Sequence, residues 1–446
     1  MEEAMNCRNE EDVLKLVSEL DISFVHFWFT DILGRLKSLA IASPRLEDAL
    51  KEGTGFDGSS IEGFARIEES DMIAQPDPTT FQIVPWRPSD RPVARMFCDV
   101  LEPDGRPYTG DPRYALKSLL DRLLADEYLY MVGPELEYYY FKDNSAPVPI
   151  DSAGFFDTRP LDLSTDLRRK SIFALQDMGI EVSYSQHEVS PGQNEIHLHF
   201  DEGLPMADKT MTYRIIIKEI AHQNGVYATF MPKPAQDLSG SGMHVHQSLF
   251  KDGRNVFYDP DDPNRLSKLA KHFMAGLLFH AREITAITNQ WINSYKRLVP
   301  GYGAPIYVAW SRRSRSTLLR VPSYRTGKED SIRFEYRAPD PAVNPYLAFS
   351  VMLAAGMEGV KYEYILPEPV DEDISHLSRQ DQEKLGVSFL PDSLYDAIQE
   401  LEKSRLVKEA LGEHIFDKFI ENKKIEWDRY RTQVSQFEID QYLPYL

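Results

Sequence analysis

The stretch Gly133-Pro-Glu-Leu-Glu-Tyr-Tyr-Tyr-Phe141 constrains this chain more than any other. An apolar run, Tyr128-Leu-Tyr-Met-Val132, leads into it and aromatic residues follow. That is a β-strand pattern, and in a strand residues i and i+2 share one face. Glu135 and Glu137 therefore project side by side from a strand with large hydrophobic neighbours. Burying an unpaired charge costs on the order of several kcal/mol or more. The fold has to bring arginines or divalent cations to this pair.

Composition narrows the setting. At 446 residues the chain has room for about two or three domains, and its 42% hydrophobic content supports a sizeable core. A net charge of −20 argues against general nucleic-acid binding, which needs a basic surface. Cys7 and Cys98 are the only cysteines, too few for a disulfide framework or a cysteine zinc site. The acidic start lacks the charged-then-apolar pattern of a signal peptide. The longest apolar run, near 346–356, is too short to span a bilayer. A soluble, cytoplasmic protein without membrane or nucleic-acid partners is expected.

Periodicity predicts a helix over 10–20 and a hairpin of strands 24–30 and 36–41. A short helix near 44–51, a glycine- and serine-rich loop over 53–60, and strands near 81–85 and 92–100 complete a small α+β unit. The turn-forming segment Pro103 to Pro112 reads as a linker. Beyond it come strands at 128–141, 193–200, 242–250 and 331–337, with helices at 113–126, 161–178, 205–224, 265–289 and 343–364. Residues 390–434 read as mainly helical. The fold class is α+β, with domains at 1–104 and 105–446. The larger domain should carry its chemistry on one face of a mainly antiparallel sheet.

Other motifs look built to meet the carboxylate pair. His187-Glu-Val-Ser-Pro-Gly-Gln-Asn-Glu195 supplies Glu188 and Glu195 around a Pro-Gly turn. Gly240-Ser-Gly-Met-His-Val-His246 places His244 and His246 on one strand face, and Arg333-Phe-Glu-Tyr-Arg337 does the same for Arg333, Glu335 and Arg337. Alone, an alternating Glu pair is more often a solvated strand face, and a His-x-His more often structural. Several such motifs, each in an apolar strand beside Gly or Pro, shift the balance. Carboxylates with one imidazole suit Mg²⁺ or Mn²⁺ better than structural zinc, and paired ions of this kind serve phosphoryl transfer. Lys296, Arg297, Arg312, Arg313, Arg315, Arg320, Arg333 and Arg337 add an anion-handling wall. For Arg312 and Arg313 surface ion pairing is the better reading.

Taken together these residues resemble glutamine synthetase of the short type I class. The likeness runs from Phe56-Asp-Gly-Ser-Ser60 through the motifs above to Asn293-Ser-Tyr-Lys-Arg-Leu-Val-Pro-Gly301 and Asp340-Pro-Ala-Val-Asn-Pro-Tyr346. It implies a β-grasp domain, a catalytic domain with a curved sheet, and a dodecamer of two stacked hexamers with active sites between subunits. It implies ATP and two or more Mg²⁺ or Mn²⁺ ions per site, Glu137, Glu188 and Glu195 holding one and Glu135, His244 and Glu335 another. Arg297, Arg315 and Arg337 match arginines that handle the carboxylates of glutamate and the phosphoryl group, and Gly240 a backbone contact to glutamate. Phe200, His246, Ser248, Arg320 and Arg333 fall on the nucleotide side. Asp57 and Ser60 match a loop that a neighbouring subunit lends to the ammonium site. The chain lacks the insertion with a modifiable tyrosine, so adenylylation is not expected, while Arg66 matches an arginine linked to feedback control.

The sequence departs from that pattern around the nitrogen acceptor. The flap reads Pro300-Gly-Tyr-Gly-Ala-Pro305, with Gly303 where the family has glutamate. Phe155 stands for a tyrosine and Ser239 for an asparagine. A cation site that loses a carboxylate and a phenol should hold ammonium less well and tolerate a larger amine. The expected function is an ATP-dependent ligase that phosphorylates the γ-carboxylate of glutamate and forms an amide with ammonia or a primary amine. The competing readings are a silent oligomeric scaffold or metabolite sensor, which the intact metal positions weigh against, and a ligase for a different acid.

Overall fold

The computed structural model describes residues 7–64, 71–86, 90–300, 304–323, 327–372, 374–377, 382 and 386–446. Gly303 and Arg66 lie outside the described residues.

The N-terminal part runs α1 (Glu10–Glu19), β1 (Phe24–Thr30), β2 (Leu36–Ala42), α2 (Leu46–Glu52), β3 (Thr54–Asp57), β4 (Asp71–Pro76), β5 (Gln82–Ile83) and β6 (Val93–Leu101). Asn9 starts α1 by accepting the Asp12 N–H at 3.0 Å, and Glu10, Glu11 and Asp12 in the first turn suit the positive end of the helix dipole. The sheet is six-stranded, in the order β2-β1-β6-β4-β3 with β5 on β6. β1 and β6 pair in parallel at its centre. Val13 and Val17 of α1 bury against Val25, Phe27, Ala94 and Met96 of these strands.

The larger part begins with α3 (Pro112–Ala125), β7 (Leu129–Phe141), α4 (Thr165–Asp177), β8 (Val182–His187), β9 (Gln193–Leu198), β10 (Asp201–Glu202), α5 (Gly203–Gln223), β11 (Tyr227–Thr229), β12 (Met243–Lys251) and β13 (Arg254–Asn255). It continues with α6 (Lys268–Phe279), α7 (Ala281–Thr288), α8 (Ser294–Arg297), β14 (Tyr307–Ser311), β15 (Thr317–Arg320), β16 (Phe334–Tyr336), α9 (Pro345–Lys361) and β17 (Ser388–Phe389). Helices α10 (Leu394–Leu401), α11 (Arg405–Leu411), α12 (Glu413–Arg431) and α13 (Gln436–Tyr442) close the chain. An 11-stranded sheet follows the path β17-β14-β15-β16-β12-β7-β9-β8. Its pairs are antiparallel except β14 with β15.

Register decides what the two faces carry. Glu135 lies opposite His244 on β12 and His197 on β9, Glu137 opposite Glu195, and His246 opposite Glu335. Directly opposed residues share a face, so these side chains gather on one side of the sheet. The alternating positions Leu136, Tyr138, Ile196, Val245 and Phe334 enter the main core beneath α5, α6 and α9. α6 and α9 meet at glycines. A Cβ on Gly276 would sit 2.1 Å from the Ala355 carbonyl oxygen and 2.9 Å from Gly359 Cα.

Arg113, in the first turn of α3, ties the N-terminal sheet to α5. Its guanidinium bonds Asp77 at 2.8 Å, Asp99, and Asp208 at 3.2 and 3.1 Å. Asp208 on α5 also accepts the Tyr346 hydroxyl at 2.6 Å. Nearby, Gly34 takes φ +76 where a Cβ would fall 2.7 Å from Asn344 Cα, so only glycine permits that approach.

Several expectations shift. The 53–60 loop includes β3, because β4 supplies a distant partner that local propensity does not reveal. The arginine-rich segment folds as β14 and β15, neither anticipated as a strand. The helix expected over 265–289 divides at His280, which leaves helical geometry at φ −92, ψ 5. Among the described residues no helix is long and apolar enough to cross a membrane.

Replacing Arg113 with Met strands three acidic groups in the junction. Loss of one partner from a buried ion network typically costs about 3–5 kcal/mol. Thermal unfolding of Arg113→Met should show a clearly lowered midpoint, and an unchanged midpoint would refute the junction's role.

Candidate active site

The polar face of the large sheet floors a cavity of about 500 Å³. Glu137, Glu188 and Glu195 stand on one side of it. Glu137 Oε2 accepts the Gly242 N–H at 2.8 Å and the Gln193 amide at 3.3 Å. Gln186 donates to Glu188 at 2.6 Å and to Glu195 at 2.8 Å, holding the two carboxylates together. The β8–β9 hairpin that carries them is pinned from below. Asp151 accepts the Gly192 N–H at 2.7 Å, and Ser164 bonds Asn194 at 2.6 Å. Burial, then repulsion from Glu188 and Glu195, pushes the Glu137 carboxyl well above the usual range. Burial and Glu195 likewise raise Glu188 to about 7. Arg297 acts on Glu137 from this side, but it does not offset burial and the repulsion among the carboxylates.

The other side carries more positive charge. Ligand atoms of Glu135, His244 and Glu335 all lie within 4.8 Å of one another. Burial would raise Glu335, but Arg337, His244 and His246 hold it down to about 2, and Arg320 donates to it at 2.8 Å. Burial also opposes ionisation of Glu135, yet His246, His197 and His244 keep it well below the ordinary carboxylate value. His246 accepts from Arg333 Nε at Nδ1, 3.1 Å, so its proton sits on Nε2 facing Glu135 at 2.8 Å. Burial, reinforced by Arg337, lowers the His244 pKa, leaving a neutral imidazole able to donate a lone pair.

A second, adjoining cavity of about 290 Å³ shares Glu135, His246 and Arg333 with the first and adds Gly133, Phe200 and Ser248. Gly133 lets Phe200 come close, since a Cβ there would lie 3.3 Å from Phe200 Cβ. Phe200 keeps 42% of its surface exposed at the groove, its ring stacked with that of His199 at 4.5 Å. Arg320, expected on the nucleotide side, lines the larger cavity, as His246 and Arg333 also do.

Arg297, at the end of α8, is buried and fixed by the carbonyls of Ala338 (2.6 Å), Pro339 (3.2 Å) and Arg337 (3.1 Å). Gly240 is glycine for a reason of space, because a Cβ would lie 2.6 Å from Arg297 Cγ. Arg337 bonds Glu335 and the Arg315 carbonyl, the latter at 3.2 Å, while the Arg315 side chain stays exposed at the cavity. Ser239 lines the same wall, its backbone held by Ser190 and Tyr139 at 2.8 Å each. Phe155 also lines it, its ring 3.9 Å from that of Phe156. Asp57 and Ser60 are not brought to this cavity. They lie exposed on the N-terminal part, where Ser60 Oγ donates to the Asp57 carbonyl at 3.1 Å. Arg312 pairs with Asp371 at 3.0 Å, a surface contact as expected.

Sequence reasoning passed over His197 and Gln186. His197 Nδ1 is 2.9 Å from Glu135 and its Nε2 2.9 Å from Glu195. Burial works against its charged form, but the carboxylates of Glu135 and Glu195 outweigh it and, with no cation beside them, push the pKa up to about 10. The signal was available, since Glu195-Ile-His197 repeats the i, i+2 spacing that exposed Glu135 and Glu137. Gln186 gave no such signal, because an amide carries no charge that needs explaining.

Crowded buried carboxylates without enough cations, beside a neutral imidazole, form the donor set that divalent Mg²⁺ or Mn²⁺ takes. The relatives agree. Residues 21–103 match the family described as glutamine synthetase, beta-Grasp domain, and residues 109–442 that described as glutamine synthetase, catalytic domain. The chain is 48% identical to the glutamine synthetase of Methanosarcina mazei over 100% of both chains. It is 49% identical to that of Mycolicibacterium smegmatis over 98% of this chain and 99% of the other. Among solved structures, a GmaS/ADP complex superposes with a TM-score of 0.88 at 29% identity, covering 97% of this chain and 99% of that one. Plasmodium falciparum glutamine synthetase gives 0.86 at 25% identity, covering 97% and 98%. This chain belongs to the glutamine synthetase family of ATP- and divalent-metal-dependent ligases.

Proposed function

We propose that this ligase activates the γ-carboxylate of L-glutamate with ATP and joins it to a primary amine in preference to ammonia. The observation that carries the reading is the apolar lip of the cavity. Phe155 and Phe156 lie ring to ring beside Val189, and Val189 leaves 60% of its surface exposed. An ammonium ion gains at most a cation–π contact from such a wall, whereas the alkyl part of an amine also gains by covering its apolar surface. Support also comes from the GmaS structures, GmaS being a γ-glutamylmethylamide synthetase. The curated relatives near 48% identity are named glutamine synthetase, which is the alternative that the experiment below separates.

The residue roles follow from chemistry. A bare carboxylate has no adequate leaving group, so the acid is first phosphorylated and the amine then displaces phosphate. Divalent ions bound by Glu137, Glu188 and Glu195, and by Glu135, His244 and Glu335, would neutralise the charge gathered on the transferring phosphoryl group. Arg297, Arg315 and Arg337 bind the anionic ends of the acid and of the phosphoryl group. The Gly240 backbone borders the acid, with Ser239 beside it. His246, Ser248, Arg320 and Arg333 face the phosphates, and Phe200 offers its ring to the base. The chain divides at 104/105 and assembles as a dodecamer of two hexamers, in the cytoplasm. There Asp57 and Ser60 complete a neighbour's site, which accounts for their position away from this chain's own cavity.

Phosphate release with ATP, Mg²⁺ and glutamate, compared between ammonium and a panel of primary amines, tests the reading. Some amine should show the higher kcat/KM, and efficient turnover at low ammonium would refute it. No glutamate-dependent release with any acceptor would leave the scaffold reading. Gly303→Glu should shift the amine-to-ammonium ratio of kcat/KM towards ammonium by about tenfold, a change of ~1.4 kcal/mol.

Metal dependence has its own check. Chelation by EDTA should abolish phosphate release, with Mg²⁺ or Mn²⁺ restoring it. Glu188→Gln should lower kcat by on the order of a hundredfold, and near-wild-type kcat in that variant would remove Glu188 from the metal set.

A further inference from the structure

Two imidazoles in the cavity belong to neither assigned ligand set, His246, which is held by Arg333, and His197. His197 stands on β9 two residues beyond Glu195, in register with Glu135 on β7. Ligand atoms of Glu135, Glu195 and His197 all lie within 4.8 Å of one another. Nε2 comes 2.9 Å from Glu195 Oε2, yet it is out of line for a hydrogen bond and is left as a buried nitrogen without a hydrogen-bond partner. Tyr184 stacks on the ring at 3.9 Å and 20°, fixing its plane.

The plainer reading makes His197 a counter-charge for two glutamates. That reading explains Nδ1, which faces Glu135, and leaves Nε2 unexplained, since an N–H there would point past its acceptor. A lone pair at Nε2 meets no such difficulty. A buried ring nitrogen beside a ligating carboxylate, with the other nitrogen donating to a second carboxylate, is the usual carboxylate–histidine–metal arrangement.

We propose that His197 Nε2 is a further metal ligand, joining the ion held by Glu195 while Nδ1–H donates to Glu135 of the other set. The inference rests on the metal roles proposed above. Two consequences follow. A nitrogen added to a carboxylate set raises affinity for Mn²⁺ relative to Mg²⁺, which favours oxygen. One ring touching both sets also couples them, so that filling one site orients Glu135 in the other.

The test uses the full chain with Mn²⁺ alone. Free-ion electron paramagnetic resonance reads Mn²⁺ affinity, and competition reads Mg²⁺ affinity. His197→Asn should weaken Mn²⁺ about tenfold and Mg²⁺ much less. Pulsed resonance on His244→Asn should still show nitrogen modulation, which adding His197→Asn should remove. Modulation lost in His244→Asn alone, modulation surviving in the double variant, or equal losses for both ions would overturn the proposal. The His244→Asn measurement stands even if His197→Asn does not fold. Absence of Mn²⁺ binding in the wild type would overturn the metal assignment itself, a distinguishable result.

Discussion

Carboxylates crowded on one face of the central sheet set the terms for everything around them. Glu135 and Glu137 on β7, Glu195 on β9 and Glu335 on β16 share that face because the registers of three strand pairs align them. Burial makes each charge costly. The protein answers unevenly. Glu135 and Glu335 receive imidazoles and guanidinium groups and stay ionised. Glu137 and Glu188 receive amide donors, and burial with mutual repulsion raises both. The shortage of positive charge is therefore local, and it is where an added cation gains most.

Holding such a cluster open demands rigidity elsewhere. The opposite face of the sheet is buried against α5, α6 and α9, and the α6–α9 contact is so close that glycine is the only residue that fits at Gly276. Arg297 uses several donors on backbone carbonyls, so its position is set before any substrate arrives. Preorganisation of this kind is what phosphoryl transfer needs, because little covalent chemistry is left for the protein to perform. The acceptor side is built differently. Phe155, Phe156 and Val189 are exposed apolar groups, and nothing there matches the density of hydrogen bonds around the carboxylates.

How far the site was legible depends on the range of each signal. Glu135 and Glu137, or His244 and His246, announce themselves because strand alternation is written within three consecutive residues. His197 has the same spacing from Glu195, but its second partner, Glu135, lies on another strand and reaches it only through register. β3, β14 and β15 were not legible in the same way. They are only four or five residues long, too short for alternation to stand out, and their pairing comes from partners elsewhere in the chain: β4 for β3, β16 and β17 for the other two. Asp57 and Ser60 could be singled out only by resemblance, which also implied a role in a neighbouring subunit's site.

By itself the sequence determined the residue types, their faces within each strand, and the family pattern with its departures at Phe155, Ser239 and Gly303. These are local properties, carried by alternation and by motif. Tertiary structure alone decided which carboxylate faces which base, that Arg320 joins the larger cavity, and that His197 stands between the two ligand sets. Those outcomes depend on strand register and pairing between residues far apart in the chain, where a slip of one position would turn every side chain to the other face.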